Sequence, residues 1–322
     1  LTFPANGGIL PGESGEEGAS RRGRMDPEAT VSSPEKMCLF QWMTSGYPPA
    51  VRAEHKDRRK KMPHFAANLT FLFAEMPFME RFAAAKRAGF DAVEFMFPYD
   101  YNQDDIKEQL TKTGLHLVLC NLPAGNWAGG DRGTATIPER KKEFREGVAK
   151  GIEAARTLGF ARMNCLVGLT HEGLSAGETR KILVENIRYA AGALNEAGIR
   201  LMVEPVNRLD MPGFALNSCA QVLKLLEEIG HPNAYLQFDV YHARRENEDV
   251  TAILRDYFDR IGHIQIADCP GRHQPGTGET DFNFLLPEID RMGFRGFVSL
   301  EYIPVPDTLS SLQWLPAHGY RL

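Results

Sequence analysis

From residue 62 onward the chain alternates two patterns of apolar and polar positions. Stretches such as Phe144, Val148, Ile152 and Ala155 carry apolar residues three and four apart, the spacing of one helix face. Each stretch ends near a glycine, and a short, mostly apolar run of strand length follows. The junction glycines are Gly89, Gly114, Gly159, Gly198, Gly230, Gly262 and Gly293, opening runs at 90–95, 115–120, 160–166, 199–204, 234–239, 263–268 and 294–301. An eighth run, 65–69, begins the series. Glycine suits the end of a helix because the residue after the last turn commonly takes the left-handed conformation, where a Cβ is penalised. Pro77 suits a first helical turn, and Ser175 with Glu178 has the spacing of a capping box.

Strand and helix in alternation call for a parallel sheet, and eight such units in 261 residues have the proportions of a (β/α)8 barrel. The rival, an open doubly wound sheet, lacks support because no G-x-G-x-x-G or G-x-x-x-x-G-K-[ST] follows the first strand. The sequence therefore predicts one α/β domain, a (β/α)8 TIM barrel over residues 62–322. Residues 1–61 show no apolar period and are rich in Gly, Pro, Ser and charge, so they read as a disordered extension. Their basic run, Arg58, Arg59, Lys60 and Lys61, reads as part of a solvated tail, and no apolar stretch of secretory type stands behind a basic start. Met62-Pro-His-Phe has the look of an internal start, so residues 1–61 are not expected to belong to the native protein.

Composition narrows the function classes. With 43% hydrophobic and 25% charged residues the chain has the balance of an ordinary globular protein, and no apolar run approaches the ~18 residues of a spanning helix. The net charge of −5 offers no global field for phosphate backbones, so neither nucleic acid nor membrane is an expected partner. Residues 1–61 hold 10 Lys/Arg and 8 Asp/Glu, which leaves 27 against 34 in the barrel. Five scattered cysteines without a C-x-x-C pair fit a reducing compartment, and the cytoplasm is the expected location.

In a barrel of this kind chemistry sits where strands end. Four strand-end groups stand out: Glu204 in Leu-Met-Val-Glu-Pro, Asp239 in Leu-Gln-Phe-Asp-Val-Tyr-His, Gln265 in His-Ile-Gln-Ile-Ala-Asp, and Glu301 in Val-Ser-Leu-Glu-Tyr. They lie 35, 26 and 36 residues apart, about one βα unit each, which predicts convergence from consecutive strands. Three carboxylates in an apolar mouth repel one another and resist burial, so the arrangement calls for a cation, shared protons or both. All-oxygen ligands suit Mg2+ or Mn2+ better than zinc. For Glu94, inside the second strand, a hydrogen bond in the barrel interior competes with a catalytic role, and Asp268 has an equally weak claim on the chemistry. His242, three residues after Asp239, is placed to bind a substrate oxygen. No H-E-x-x-H or G-x-S-x-G is present, which leaves zincins and serine hydrolases without footing. The glycine-punctuated segment 121–138 around Trp127 is long for a βα loop and reads as a lid. In the loop 269–279, Arg272 either receives a carboxylate or is exposed.

Several segments together resemble a known family: 93–101 (Val-Glu-Phe-Met-Phe-Pro-Tyr-Asp-Tyr), 121–128 (Asn-Leu-Pro-Ala-Gly-Asn-Trp-Ala), Glu-Pro-Val-Asn at 204–207, Met-Pro-Gly-Phe at 211–214, Pro-Gly-Thr-Gly-Glu at 275–279 and Leu-Glu-Tyr at 300–302. From residue 62 to about 314 the chain is similar to the bacterial hydroxypyruvate isomerase family of the xylose-isomerase-like TIM barrels. The resemblance implies an intramolecular oxidoreductase of glyoxylate metabolism that converts hydroxypyruvate to 2-hydroxy-3-oxopropanoate. It implies that Glu204 and Glu301 are the acid/base pair and that Glu204, Asp239, Gln265 and Glu301 form a divalent-metal cluster. His242, Arg272, Asn121 and Trp127 are then the expected substrate contacts, and a homo-oligomer is compatible with the family. Gln265 stands where many superfamily isomerases and epimerases carry His, and Gln274 where Glu is expected. The Asn121–Trp127 segment sides against the sister 2-oxotetronate isomerases. Those enzymes and the ketose epimerases remain the nearest alternatives. An endonuclease IV type phosphodiesterase would want several strand-end histidines, and a catalytically silent binding barrel would not need the paired glutamates.

Overall fold

The computed structural model describes residues 63–322, so the expectations for residues 1–61 lie outside the described residues. The predicted alternation is present, and all strand pairs are parallel. The strands are β1 (His64–Asn68), β2 (Ala92–Glu94), β3 (His116–Leu117), β4 (Cys120–Asn121), β5 (Arg162–Cys165), β6 (Arg200–Val203), β7 (Ala234–Asp239), β8 (Ile261–Ile266) and β9 (Phe297–Leu300). Their order is β3-β2-β1-β9-β8-β7-β6-β5-β4. β3 and β4 are two pieces of the single predicted run 115–120: the first pairs with β2 and the second with β5, and Val118 and Leu119 join them. The Val118 N–H donates to Val93 O at 2.9 Å and the Leu122 N–H to Asn164 O at 2.7 Å, so this segment closes the circle that the order leaves open. Eight barrel positions result, as the sequence predicts.

Most junction glycines do what their position requires. Gly89, Gly114, Gly159, Gly198, Gly230 and Gly293 all have φ between 62° and 105°. Gly262 is the exception and corrects the sequence reading, because it lies inside β8 and not after a helix. Leu236 pairs with Ile261 and Gln237 with His263, so Gly262 is the extra residue of a bulge. A Cβ there would stand 2.5 Å from Met202 Sδ and 2.7 Å from Tyr235 Cβ, which explains glycine by close packing. Past the bulge, Gln237 faces His263 and Asp239 faces Gln265, and this register brings all four polar side chains to the barrel interior.

The helices bury one face each. The helix Lys141–Leu158 buries Phe144, Val148 and Ala155, and the helix Ala176–Glu196 starts with the predicted reciprocal Ser175–Glu178 capping box. Pro77 stands one position before the helix Phe78–Ala88. Among the described residues no helix is long and apolar enough to cross a membrane.

Candidate active site

The C-terminal ends of the strands carry a nearly continuous ring of buried polar side chains: Asn68, Glu94, Asn121, Asn164, Glu204, Gln237, Asp239, Gln265 and Glu301. Such groups are tolerated in a core only when they satisfy one another. A chain of amides links the two glutamates. Glu204 Oε2 accepts from Asn164 Nδ2 at 2.7 Å and from Gln237 Nε2 at 2.9 Å. Gln237 Nε2 also donates to Gln265 Oε1 at 2.8 Å, and Gln265 Nε2 donates in turn to Glu301 Oε2 and to Glu94 Oε1. Asn68 Nδ2 bridges Glu94 (2.9 Å) and Glu301 (2.7 Å) from the other side.

Glu94 is fully buried, and its Oε2 lies 2.7 Å from His263 Nε2. Burial works against its charge, but His263, with a smaller contribution from Gln265, holds its carboxyl below the usual range. This bears out the interior reading of Glu94. Asp268 likewise proves to organise the backbone: its carboxylate accepts N–H bonds from Cys269, Gly276, Thr277, Gly278 and Thr280 and so shapes the loop after β8.

That loop delivers Arg272. The residue has φ 57°, is 9% exposed, and lies between the rings of Phe71 (4.8 Å) and Tyr241 (5.0 Å). Its Nη2 donates to Glu301 Oε1 at 2.7 Å and stands 3.9 Å from Asp239 Oδ2. The exposed alternative for Arg272 is thereby removed. Gln274 ties the loop to the segment after β9: its Nε2 donates to Val305 O at 2.6 Å and its Oε1 accepts from the Val305 N–H at 3.2 Å. A glutamate could not supply both bonds.

Asp239 caps the short helix Val240–Arg245, with Oδ1 accepting from the Tyr241 and His242 N–H groups. Its Oδ2 is buried without a hydrogen-bond partner. His242 Nε2 faces that oxygen at 3.6 Å and Glu204 Oε1 at 3.9 Å. Burial and the Asp239 charge push Glu204 up to about 8, and burial takes Asp239 to about 6 against the pull of Arg272. Burial also drives Glu301 well above the usual carboxyl range, with Arg272 opposing it. Burial, with a smaller contribution from Arg272, drives His242 well below the usual imidazole range, which keeps the ring neutral.

The six residues expected at the mouth, Glu204, Asp239, Gln265, Glu301, His242 and Arg272, thus share one cluster. Asn121 joins its edge, accepting from Asn164 Nδ2 at 3.2 Å. Trp127 sits in the 121–138 loop against Phe97 (5.2 Å), with Arg132 4.4 Å over its ring. The far half of that loop is anchored: Thr134, Ala135 and Thr136 are buried, and Asn186 Nδ2 donates to Ala135 O at 2.9 Å. The tip, from Ala128 to Gly130, is exposed. Glu204, Asp239 and His242 offer atoms all within 4.8 Å of one another, a spacing compatible with a cation. Gln265, expected among the metal ligands, has its oxygen turned to Gln237 and its N–H groups to two carboxylates. Sequence reasoning missed Asn68, Asn164 and Gln237. Their one signal was an amide interrupting an apolar strand run.

Comparison with known proteins agrees with this geometry. Residues 82–318 match the xylose isomerase-like TIM barrel family. Hydroxypyruvate isomerase of Escherichia coli (strain K12) is 46% identical over 254 residues, 79% of this chain and 98% of that protein. 2-Oxo-tetronate isomerase of Cupriavidus necator is 38% identical, again over 79% of this chain and 98% of the relative. The crystal structure of AP endonuclease, family 2 from Brucella melitensis superposes with a TM-score of 0.77 at 39% identity, covering 80% of this chain and 99% of that one. With the barrel, the strand-end carboxylates and these relatives in agreement, the chain belongs to the hydroxypyruvate isomerase family of xylose isomerase-like TIM barrels.

Proposed function

We propose that this isomerase interconverts hydroxypyruvate and 2-hydroxy-3-oxopropanoate by proton transfer between Glu204 and Glu301. The observation that carries the proposal is the pair itself: two buried glutamates directly after strands β6 and β9, both favouring the protonated form, linked through Gln237 and Gln265 and flanked by Arg272 and His242. Aldose–ketose isomerisation needs one carboxylate as base and a carboxylic acid as its partner, and burial beside like charges separates the two roles.

The ionised glutamate takes a proton from C3 of hydroxypyruvate, and the C–H electron pair becomes the C2=C3 bond of an enediolate with charge on the C2 oxygen. The other glutamate delivers a proton to C2, the C3 hydroxyl proton passes to the C2 oxygen to make the product hydroxyl, and C3 becomes the aldehyde carbon. Arg272, fixed between two aromatic rings, supplies the positive charge that an acidic barrel needs to hold the substrate carboxylate. His242, neutral and aimed between Glu204 and Asp239, contacts a substrate oxygen. Asn121 and Trp127 line the approach from the 121–138 loop.

The donor set fits Mg2+ or Mn2+. Asp239 Oδ2 is buried without a hydrogen bond, Glu204 offers a hard oxygen within 4.8 Å of an Asp239 oxygen, and the Glu301 carboxylate is held beside them by Arg272, Asn68 and Gln265. Glu204, Asp239 and Glu301 would hold the ion, and Gln265 would join only by turning its amide. When bound, the cation supplies charge stabilisation for the developing enediolate oxygens.

Steady-state assays of Glu204→Gln and Glu301→Gln test the proposal. Both variants are expected to fold and to lose at least ~100-fold in kcat, the scale of general acid–base catalysis. Near wild-type turnover of hydroxypyruvate by either variant would overturn it. The 38% identity to a protein named 2-oxo-tetronate isomerase supports a second reading, isomerisation of the four-carbon acid. A comparison of kcat/KM on the two acids decides between them.

A further inference from the structure

Which nitrogen of His242 carries the proton is fixed by a residue outside the acid/base pair. The side-chain amide of Asn207 has only one orientation that satisfies its surroundings. Its Oδ1 accepts the backbone N–H groups of Leu209 (3.1 Å) and Asp210 (2.9 Å). Its Nδ2 donates to the Asp210 carboxylate at 3.1 Å. A flipped amide would oppose its oxygen to a carboxylate and its N–H groups to two backbone donors, so the assignment follows from the network. With Nδ2 so placed, the 2.7 Å contact to His242 Nδ1 makes that ring nitrogen the acceptor. The backbone N–H of Asn207 points at the same nitrogen from 3.4 Å. A neutral imidazole that accepts at Nδ1 carries its proton on Nε2.

Building on the isomerase reading above, we infer that Asn207 is a positioning residue: it holds His242 in the Nε2–H form, so that the ring donates a hydrogen bond to a substrate oxygen between Glu204 and Asp239 and offers no lone pair to a cation there. Two features support this. Asp239 Oδ2 has no hydrogen-bond partner, and it faces Nε2 at 3.6 Å, just beyond hydrogen-bond reach, so an Nε2–H there is left for a substrate oxygen. The loop that holds Asn207 is also braced at its other end, since Asp210 Oδ2 lies 3.8 Å from Arg272 Nη1. One side chain, Asp210, therefore touches both the residue that orients His242 and the guanidinium beside Glu301. By compactness alone Glu204, Asp239 and His242 would form a three-ligand metal site. The hydrogen-bond network withdraws His242 from it and gives that ring to the substrate.

The test is a long-range proton–nitrogen NMR correlation on the full chain labelled with 15N-histidine, with the His242 signals identified by their loss in His242→Gln. The wild-type spectrum is expected to show a protonated Nε2 and an unprotonated Nδ1, and to keep that pattern when Mg2+ alone is added. Asn207→Asp places a carboxylate against Nδ1 and is expected to reverse the pattern. With the donor turned away, its KM for hydroxypyruvate should rise about tenfold, the loss of one hydrogen bond. His242→Gln keeps an N–H at similar reach and should recover most of the KM that His242→Ala loses. An unprotonated Nε2 in the wild type, or its deprotonation by Mg2+, overturns the inference, and the wild-type spectrum needs no variant to fold. A reversed pattern in Asn207→Asp with unchanged KM overturns the substrate contact. If the wild-type chain keeps Nε2–H but does not turn over hydroxypyruvate, the substrate assignment falls and the tautomer assignment stands.

Discussion

Asp268→Asn isolates the contribution of the loop that carries Arg272. The native carboxylate is 1% exposed and accepts five backbone N–H bonds: Gly276, Thr277 and Gly278 at 2.8–2.9 Å on Oδ2, and Cys269 and Thr280 at 2.9 and 3.0 Å on Oδ1. An asparagine of the same shape keeps its oxygen toward the three donors and turns its NH2 toward the other two. Two charge-assisted bonds are lost, each worth about 1.5–3 kcal/mol, so the variant should be less stable by about 3–6 kcal/mol. For a domain of this size that corresponds to a fall in Tm of about 10 °C. The loop cannot relax freely, because a shift of Gly278 meets the Cys269 carbonyl, which already stands 2.2 Å from where a Cβ at that position would lie. Arg272 should therefore leave its place on Glu301, and kcat/KM should fall about 100-fold, the effect of a misplacement near 1 Å. Calorimetry and hydroxypyruvate kinetics on the same preparation check both numbers. A Tm within about 2 °C of wild type would refute the hydrogen-bond argument. A lowered Tm with unchanged kcat/KM would refute the link from Asp268 to Arg272.

Two further outcomes are expected. Gly262→Ala puts a methyl group into the 2.5 Å approach to Met202 Sδ and should cost about 1–3 kcal/mol, seen as a lower urea midpoint with unchanged m; an unchanged midpoint would show that the bulge has room. Because burial raises Glu204 to about 8 and Asp239 to about 6, the folded state binds protons that the unfolded chain releases, so this part of the stability is complete below the unfolded carboxyl range and is lost as pH rises through 6 to 8. In the presence of a chelator the Tm should accordingly drop between pH 6 and pH 9, and Glu204→Gln should flatten the drop; a Tm that rises over this interval would contradict the burial argument.

The barrel was legible because its signal is repeated. Helical periodicity, a left-handed glycine and an apolar run recur along residues 62–322, and a single misreading such as Gly262 does not disturb the count. Gly262 misled because a glycine in a bulge and a glycine after a helix look alike in sequence, and only the cross-strand register to Gln237 and His263 distinguishes them. Charged strand-end residues such as Glu204, Asp239 and Glu301 were legible because a carboxylate in an apolar run demands a reason. The amides that connect them were not, since Asn164 and Gln237 acquire meaning only from partners 40 and 33 residues away, both on Glu204. Asp268 was underrated for a related reason. Its partners are backbone N–H groups, which every residue but proline carries and which no sequence pattern marks. Arg272 could not be placed from sequence because its position depends on φ 57° and on the stacking of Phe71 and Tyr241, which come from other units of the barrel.

The central claim is that Glu204 and Glu301 carry a proton between C3 and C2 of one small 2-oxo acid. It is tested most directly by incubating the protein with hydroxypyruvate in D2O and following the carbon-bound hydrogens by NMR. The account predicts deuterium entering C3 of hydroxypyruvate and C2 of the 2-hydroxy-3-oxopropanoate product with the wild-type chain, and little or none with Glu204→Gln or Glu301→Gln. Product formed with every C–H hydrogen retained under all conditions, or exchange that persists in both variants, would contradict it.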